Sequence, residues 1–124
     1  MLGQHYACSF FLPGTLAANH VIEFALPFDV ELVHVSAAAQ NNSDATLIVG
    51  TSADDNGYIT SYAIGDSGTP VEKGALTDFN GALVTSGAYP QVSDGTLFMA
   101  TLDFDGAAGT AAQNVTIVFT FQEG

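Results

Sequence analysis

The strongest constraint on the fold is a regular alternation of apolar and polar residues near the carboxyl end of the chain. In residues 115–121 apolar side chains alternate with threonines, and only Val118 breaks the pattern. Residues 98–104 alternate in the same way. A period of two is typical of β-strands that bury one face. The two runs are therefore predicted to be neighbouring inner strands, joined by a long, mobile surface loop from Asp105 to Asn114.

Similar but shorter runs, separated by turn residues, extend over most of the chain. The predicted strands are Gln4 to Leu12, His20 to Leu26, Asp29 to Ala37, Ala45 to Thr51, Tyr58 to Ala63, and the weaker Gly81 to Val84 and Tyr89 to Val92. Helix is limited to one turn at most, at Ala75 to Asn80. This spacing favours a single all-β domain over residues 1–124, an antiparallel, jelly-roll-like β-sandwich of about eight strands. The core is predicted to contain Phe24, Phe98, Leu102, Phe104, Ile117, Phe119 and Phe121.

The charge balance excludes several classes of partner. The 124 residues carry a formal charge of -12, yet only 11% of them are charged and Lys73 is the one basic residue. One cation cannot neutralise nucleic-acid phosphates or bind anionic lipid, so we expect neither nucleic-acid nor membrane partners. No signal peptide or membrane span is readable. With Cys8 as an unpaired strand hydrophobe, the chain is expected to be soluble and made in a reducing cytoplasm.

One segment has the residues of a catalytic motif without the rest of the machinery. Gly65 to Pro70 reads GDSGTP and resembles the stretch around the nucleophile of chymotrypsin-like proteases. That chemistry needs a histidine base, a buried aspartate and an oxyanion hole in a chain about twice as long. Asp and Gly in a turn before Pro explain the segment adequately.

Two further patterns could bind metal. Ser52, Asp54, Asn56 and Gly57 have the spacing of the first half of an EF-hand loop, but the bidentate glutamate that should end the loop is replaced by Ala63. A tight hairpin turn is the favoured interpretation, with weak calcium binding at Asp54–Gly57 left open. The three histidines, His5, His20 and His34, are predicted on separate strands and lack metal-ligand spacing.

The acidic residues cluster in or beside predicted turns: Asp54, Asp55, Asp66, Asp78, Asp94, Asp103 and Asp105. A catalytic carboxylate pair would need a cleft lined with aromatic side chains, and the chain has no Trp. We therefore expect these residues to solubilise loops, and we expect no catalytic, cofactor or metal site.

Six segments carry a family resemblance. Residues 9–18, 26–29, 32–36, 50–54, 63–68 and 111–116 read SFFLPGTLAA, LPFD, LVHVS, GTSAD, AIGDSG and AAQNVT. In these segments the chain resembles auxiliary head proteins of tailed phages, the decoration or cement proteins that bind the outside of the capsid. The likeness runs from about residue 5 to the end.

The resemblance implies a virion structural protein, not an enzyme, made in the bacterial host cytoplasm and located on the capsid exterior. Its implied partner is the major capsid protein, and its implied role is to stabilise the expanded head. A homotrimer is expected because three-fold lattice points offer three equivalent docking surfaces. Acidic loops such as Asp54 to Gly57 should face solvent, while Met1 to Tyr6 is the preferred arm for pairing with a neighbouring chain.

A carbohydrate-binding module associated with a phage tail or fibre is the alternative. Jelly rolls serve this role as well, and shallow sugar sites usually expose aromatic platforms. The candidate platforms are Tyr6, Tyr58, Tyr62 and Tyr89, with Tyr58 and Tyr62 on one strand face.

Overall fold

The alternating runs form nine β-strands in a computed structural model that describes residues 4–64, 68–79 and 89–123. The strands are β1 (His5–Thr15), β2 (His20–Phe24), β3 (Val30–Ala38), β4 (Thr46–Thr51), β5 (Ile59–Ala63), β6 (Val71–Lys73), β7 (Gln91–Val92), β8 (Phe98–Asp103) and β9 (Gln113–Glu123). The helical turn predicted at Ala75 to Asn80 is a 3-10 turn, Leu76–Asp78, and Asn80 lies outside the described residues. None of the helical segments in the described ranges could cross a membrane.

Two antiparallel sheets form a jelly-roll sandwich. One has the order β1-β9-β3-β6, with the short β7 also paired to β3, and the other has the order β2-β8-β4-β5. Apart from the β4–β5 hairpin and the β6–β7 connection, successive strands alternate between the sheets. This arrangement is that of eight-stranded jelly rolls. The predicted fold class is confirmed.

Most of the predicted strands are present within a few residues of their expected ends. Strand β6 was missed because Val71–Lys73 is too short to show a period of two. The strand predicted at Gly81 to Val84 lies outside the described residues. At the other end of the chain, β1 runs three residues past its predicted end, to Thr15, because it is irregular beyond Leu12 and resumes pairing at Thr15.

The prediction that the last two alternating runs are neighbours is wrong. Strand β8 is central in the four-stranded sheet and β9 is central in the five-stranded sheet, so the runs face each other across the core. The connection between them is also anchored rather than free. Ala112 is fully buried, and its carbonyl accepts a hydrogen bond from the Leu16 amide at 2.9 Å. Nearby, the Thr110 amide donates to the Asp44 carboxylate at 2.7 Å.

The core is built on aromatic side chains from both sheets. Phe98 on β8 packs against Phe119 and Phe121 on β9, with ring centroids 5.1 and 5.2 Å apart. Phe24 on β2 lies 5.0 Å from Phe98 and completes the cluster. Of the seven predicted core residues, Phe98, Leu102, Ile117, Phe119 and Phe121 are buried, while Phe24 and Phe104 are half-buried and pack against the core.

A polar cluster fixes one end of the five-stranded sheet. Asn114, with a left-handed φ of 48°, accepts a hydrogen bond from the Gly14 amide at 2.7 Å and donates to the Gln40 side chain. The Asn41 side-chain nitrogen donates to the Ala111 carbonyl, and its Oδ1 accepts from the Gln113 amide, both at 2.9 Å. These contacts connect β1, β9 and the end of β3 where the strand register becomes irregular.

Truncating Phe119 should destabilise the protein strongly. Phe119→Ala removes a fully buried ring, and we expect the free energy of unfolding to fall by about 3–5 kcal/mol through lost burial and a residual cavity. Phe11→Ala is the matched control, because Phe11 lies on a strand with its side chain 58% exposed. Urea unfolding should show a much smaller loss for the control. Equal losses would contradict the assignment of Phe119 to the core.

Alkaline pH should weaken the fold through Tyr62. Burial raises the pKa of its phenol well above the usual range, whereas the unfolded chain ionises near pH 10. The stabilisation linked to the un-ionised Tyr62 phenol is complete below about pH 10. It is lost as the pH rises toward the folded-state pKa, because the unfolded chain then releases a phenol proton that the folded chain still holds. Tyr62→Phe should therefore reduce the slope of unfolding free energy against pH above 10, measured by urea titration. Identical slopes for wild type and variant would contradict the prediction.

Candidate interaction surfaces

The histidines are not brought together. His20 starts β2 in the four-stranded sheet, while His5 and His34 lie on β1 and β3 of the other sheet, with β9 between them. The Nε2 atom of His34 lies 3.2 Å from a carboxylate oxygen of Glu72. The described residues contain no group of three or more His, Cys, Asp or Glu side chains that could hold a metal.

The calcium-like segment is the turn of the β4–β5 hairpin. Main-chain hydrogen bonds join Thr51 and Asp54 in both directions, at 2.9 and 3.2 Å, and the Gly57 amide donates to the Asp54 carbonyl at 3.1 Å. A side chain at Gly50 would meet the Asp54 carbonyl at 2.1 Å, so only glycine allows the turn to fold back this closely. The predicted hairpin turn is confirmed, and Asp54 and Asp55 are exposed.

The protease-like segment falls mainly outside the described residues, which exclude Gly65, Asp66 and Ser67. Several other acidic residues form loops by accepting hydrogen bonds from main-chain amides. Asp78 accepts from Gly74 and Ala75, both at 3.0 Å. Similar contacts join Asp29 to the Asp94 amide at 2.7 Å and Asp103 to the Asp105 amide at 3.0 Å. These carboxylates act as turn formers.

The four tyrosines do not form a sugar platform. Tyr62 is only 7% exposed, and Tyr58 stacks on Phe98 with ring centroids 6.1 Å apart. Tyr6 packs against Phe28 and Tyr89 against Phe79. Tyr58 and Tyr62 both pack toward the core, so the exposed pair expected on one strand face is absent.

A surface with little charge covers the outside of the five-stranded sheet. Since alternate residues of β9 and β3 are buried, the residues between them face outward. This neutral face consists of Ala7, Ser9 and Phe11 on β1, Thr116, Val118 and Thr120 on β9, and Ser36 and Ala38 on β3. The pair His34 and Glu72 and the carboxylate of Glu31, which is opposite Gln122 in the register, border it on the same face of the sheet. Phe11, 58% exposed, is its largest apolar side chain.

A second surface lies where both sheets end on the same side of the sandwich. Phe10 on β1 stacks against Phe24 on β2, with ring centroids 5.6 Å apart, so the two terminal strands lie opposite each other. We call this the open side. Its side chains are only partly buried although they pack on the core: Tyr6, Cys8, Phe10, Leu12, Phe24, Leu26 and Phe28. Burial raises the pKa of the Cys8 thiol, as expected for a hydrophobic rather than a reactive cysteine.

The opposite side of the sandwich is closed by contacts between the sheets. The Lys73 ammonium on β6 lies 5.3 Å from the centre of the Tyr62 ring on β5. The Tyr58 hydroxyl, just before β5, donates to the Gln91 carbonyl on β7 at 3.2 Å. Among the described residues, the side formed by β1 and β2 has the larger set of half-exposed apolar side chains, while Tyr58 and Val71 are the partly buried ones beside β5 and on β6.

The comparisons with known proteins bear on the fold. No known protein family and no curated protein matches the sequence. A chain of the cyanophage Pam1 capsid asymmetric unit is similar in structure, with a TM-score of 0.61 and 16% identity, over 99% of this chain and 87% of that chain. The likeness shows that the two chains share a β-sandwich fold.

Two other solved structures give lower scores. The Yersinia pseudotuberculosis-derived mitogen has a TM-score of 0.42 and 12% identity, over 98% of this chain and 87% of that chain. A chain of desmodium yellow mottle tymovirus has a TM-score of 0.34 and 16% identity, over 97% of this chain and 82% of that chain.

Proposed function

We propose that this protein is a phage virion structural protein, a decoration protein that binds the outer surface of the capsid and stabilises the expanded head. The supporting observation is the shared fold with a chain of the cyanophage Pam1 capsid asymmetric unit over 99% of this chain. The segments that resemble phage auxiliary head proteins support the same role. The proposed activity is binding alone, without catalysis.

The neutral face is the proposed docking surface. Its side chains are alanine, serine, threonine, valine and Phe11, whose removal from water costs much less than that of ionised groups. Phe11 can anchor the contact, because interface energy concentrates in a few large side chains that fill pockets. The exposed carboxylates of Asp54 and Asp55 lie in the β4–β5 turn, outside this face, and are proposed to point into solvent.

The shell is stabilised because the protein binds the assembled shell better than it binds separate capsid subunits. Each bound copy then adds free energy to the assembled state only, as any ligand does to the state that it prefers. Copies docked at three-fold lattice points would form a homotrimer in contact with the major capsid protein. In this role the protein is located on the capsid exterior after synthesis in the host cytoplasm. The arm predicted at Met1 to Tyr6 begins outside the described residues, which start at Gln4, so its pairing with a neighbouring chain stays a prediction.

Binding to heads is the direct test. Purified protein is mixed with undecorated expanded heads and with unexpanded procapsids, and bound copies and shell melting temperature are measured. We expect saturable binding to expanded heads, at a fixed ratio to capsid subunits, with a higher melting temperature. A protein that leaves both preparations unchanged would refute the function.

The docking face is tested by a matched pair of variants. Phe11→Asp replaces the largest apolar side chain of the proposed contact with a carboxylate and should reduce affinity for expanded heads at least tenfold. Ser61→Asp is the control, because Ser61 is also exposed but lies on β5, at the edge of the opposite sheet away from β1 and β2. Both variants should keep the wild-type circular dichroism spectrum. Loss of binding in the Ser61 variant alone would place the docking surface on the other sheet.

A further inference from the structure

We infer that the open side is the contact surface between copies of this chain, with β1 of one copy beside β2 of the next around a three-fold axis. The inference rests on the homotrimer proposed above and assigns its interface. It also separates two surfaces: the open side joins copies to each other, while the neutral face remains available for the capsid.

Both sheets present a strand edge on the open side. Strands β1 and β2 each pair on one edge only, with β9 and β8 respectively, among the described residues. An uncovered edge carries main-chain N–H and C=O groups that can pair with another chain. Most strand edges are protected by lysine, proline or a bulge. Here Pro13 and the irregular pairing after Leu12 protect only the end of β1, so His5 to Leu12 forms a regular, uncovered edge.

The charge distribution permits a second copy to approach this side, because the open side lacks the charge that would repel it. Two copies each carry a formal charge of -12, so they can approach closely only through surfaces that lack carboxylates. Strand β1 has no Asp or Glu among its 11 residues, and β2 has one, Glu23, which is exposed. Repulsion between carboxylates on distant turns of the two copies is largely screened beyond about 8 Å at physiological ionic strength.

The open side is large enough to bury a substantial area in a ring of three copies. An 11-residue strand is roughly 36 Å long at about 3.3 Å per residue. Two sheets about 10 Å apart, with their side chains, give a side roughly 20 Å wide. The resulting area is on the order of 700 Å² per copy, and a three-fold ring divides it between two neighbours. Each contact is therefore smaller than the ~800 Å² per partner of a standard interface, but the three contacts together bury roughly 2,000 Å².

A three-fold arrangement uses both edges at once. The two edges differ in length, with 11 residues in β1 and five in β2, so pairing β1 with the next copy's β2 is a head-to-tail contact. Such contacts close into a ring when the rotation allows it. Because both edges lie on one side of the sandwich, that side of each copy would face the axis. The half-buried rings of Phe10 and Phe24 would then be covered by neighbouring copies.

Cys8 reports on this interface because it is the chain's single cysteine and lies on β1, half-buried at the open side. Its labelling by a maleimide is measured as the protein concentration is raised through the range in which sedimentation detects assembly. We expect a homotrimer and at least tenfold slower labelling of Cys8 once it forms. The matched control is Cys8→Ser/Ser61→Cys, whose thiol sits on exposed Ser61 of β5 at the closed side, and its labelling rate should not change.

A charged variant provides the second test. Cys8→Asp places one carboxylate per copy at the axis and should give a monomer, while Cys8→Ser and Ser61→Asp remain trimeric. Circular dichroism and thermal unfolding verify that each variant folds. A Cys8→Asp protein that remains trimeric, a Cys8 that labels equally fast in the trimer, or a wild type that is monomeric or dimeric would overturn the inference. Head binding is measured separately, so a monomer that still binds expanded heads would leave the proposed function intact.

Discussion

The packing of Phe98 between the two sheets is the interaction on which the rest of the structure depends. Its ring lies between 5.0 and 6.1 Å from those of Phe24, Phe119, Phe121 and Tyr58. These four partners come from β2, β9 and the residue before β5, so one side chain aligns parts of both sheets. Aromatic pairs at these distances add stabilisation beyond burial. With the centre fixed, β1 lies opposite β2 and β5 lies opposite β6.

The same packing determines how charge is distributed. A sandwich of this size uses alternate strand residues for its core, and the remaining outward positions here are mostly Ala, Ser, Thr and Val. Most of the described aspartates instead occupy turns, where Asp29, Asp44 and Asp78 accept main-chain hydrogen bonds. The carboxylates on strands are those of Glu23, Glu31, Glu72, Asp103 and Glu123. A high net charge is thus compatible with strand faces that carry little charge. The protein can repel other particles through its turns and still offer a surface that is easily desolvated.

The sequence predicts the layers of this fold better than their connections. Alternation identifies β8 and β9 because each buries every second side chain, which is a local property. It cannot tell whether two such strands are side by side or face to face, since both arrangements bury the same residues, and β8 and β9 turn out to face each other. The anchored loop before β9 was missed for a similar reason. Ala112 has no bulky side chain, yet it is fully buried because the main chain around it is paired.

The candidate surfaces were partly visible in the sequence. Val118, the exception to the alternation, lies on the neutral face. It is an apolar residue at an outward position, where packing of the core does not require one. The open side was not visible, because its residues look like ordinary core residues of β1 and β2. Their partial exposure arises only from the strand order, which places both terminal strands on one side. A tertiary arrangement, rather than any motif, creates this surface.

The two sides of the sandwich differ in a way that stability alone does not explain. The single lysine is used on the closed side, where Lys73 covers the ring of Tyr62, and β1 on the open side has no lysine along its 11 residues. Lysine on an edge strand is a common protection against pairing with other chains. A protein that remained alone in solution would gain from such protection on its longest edge. Leaving that edge uncharged favours association, and the half-buried apolar side chains beside it gain burial when a partner covers them.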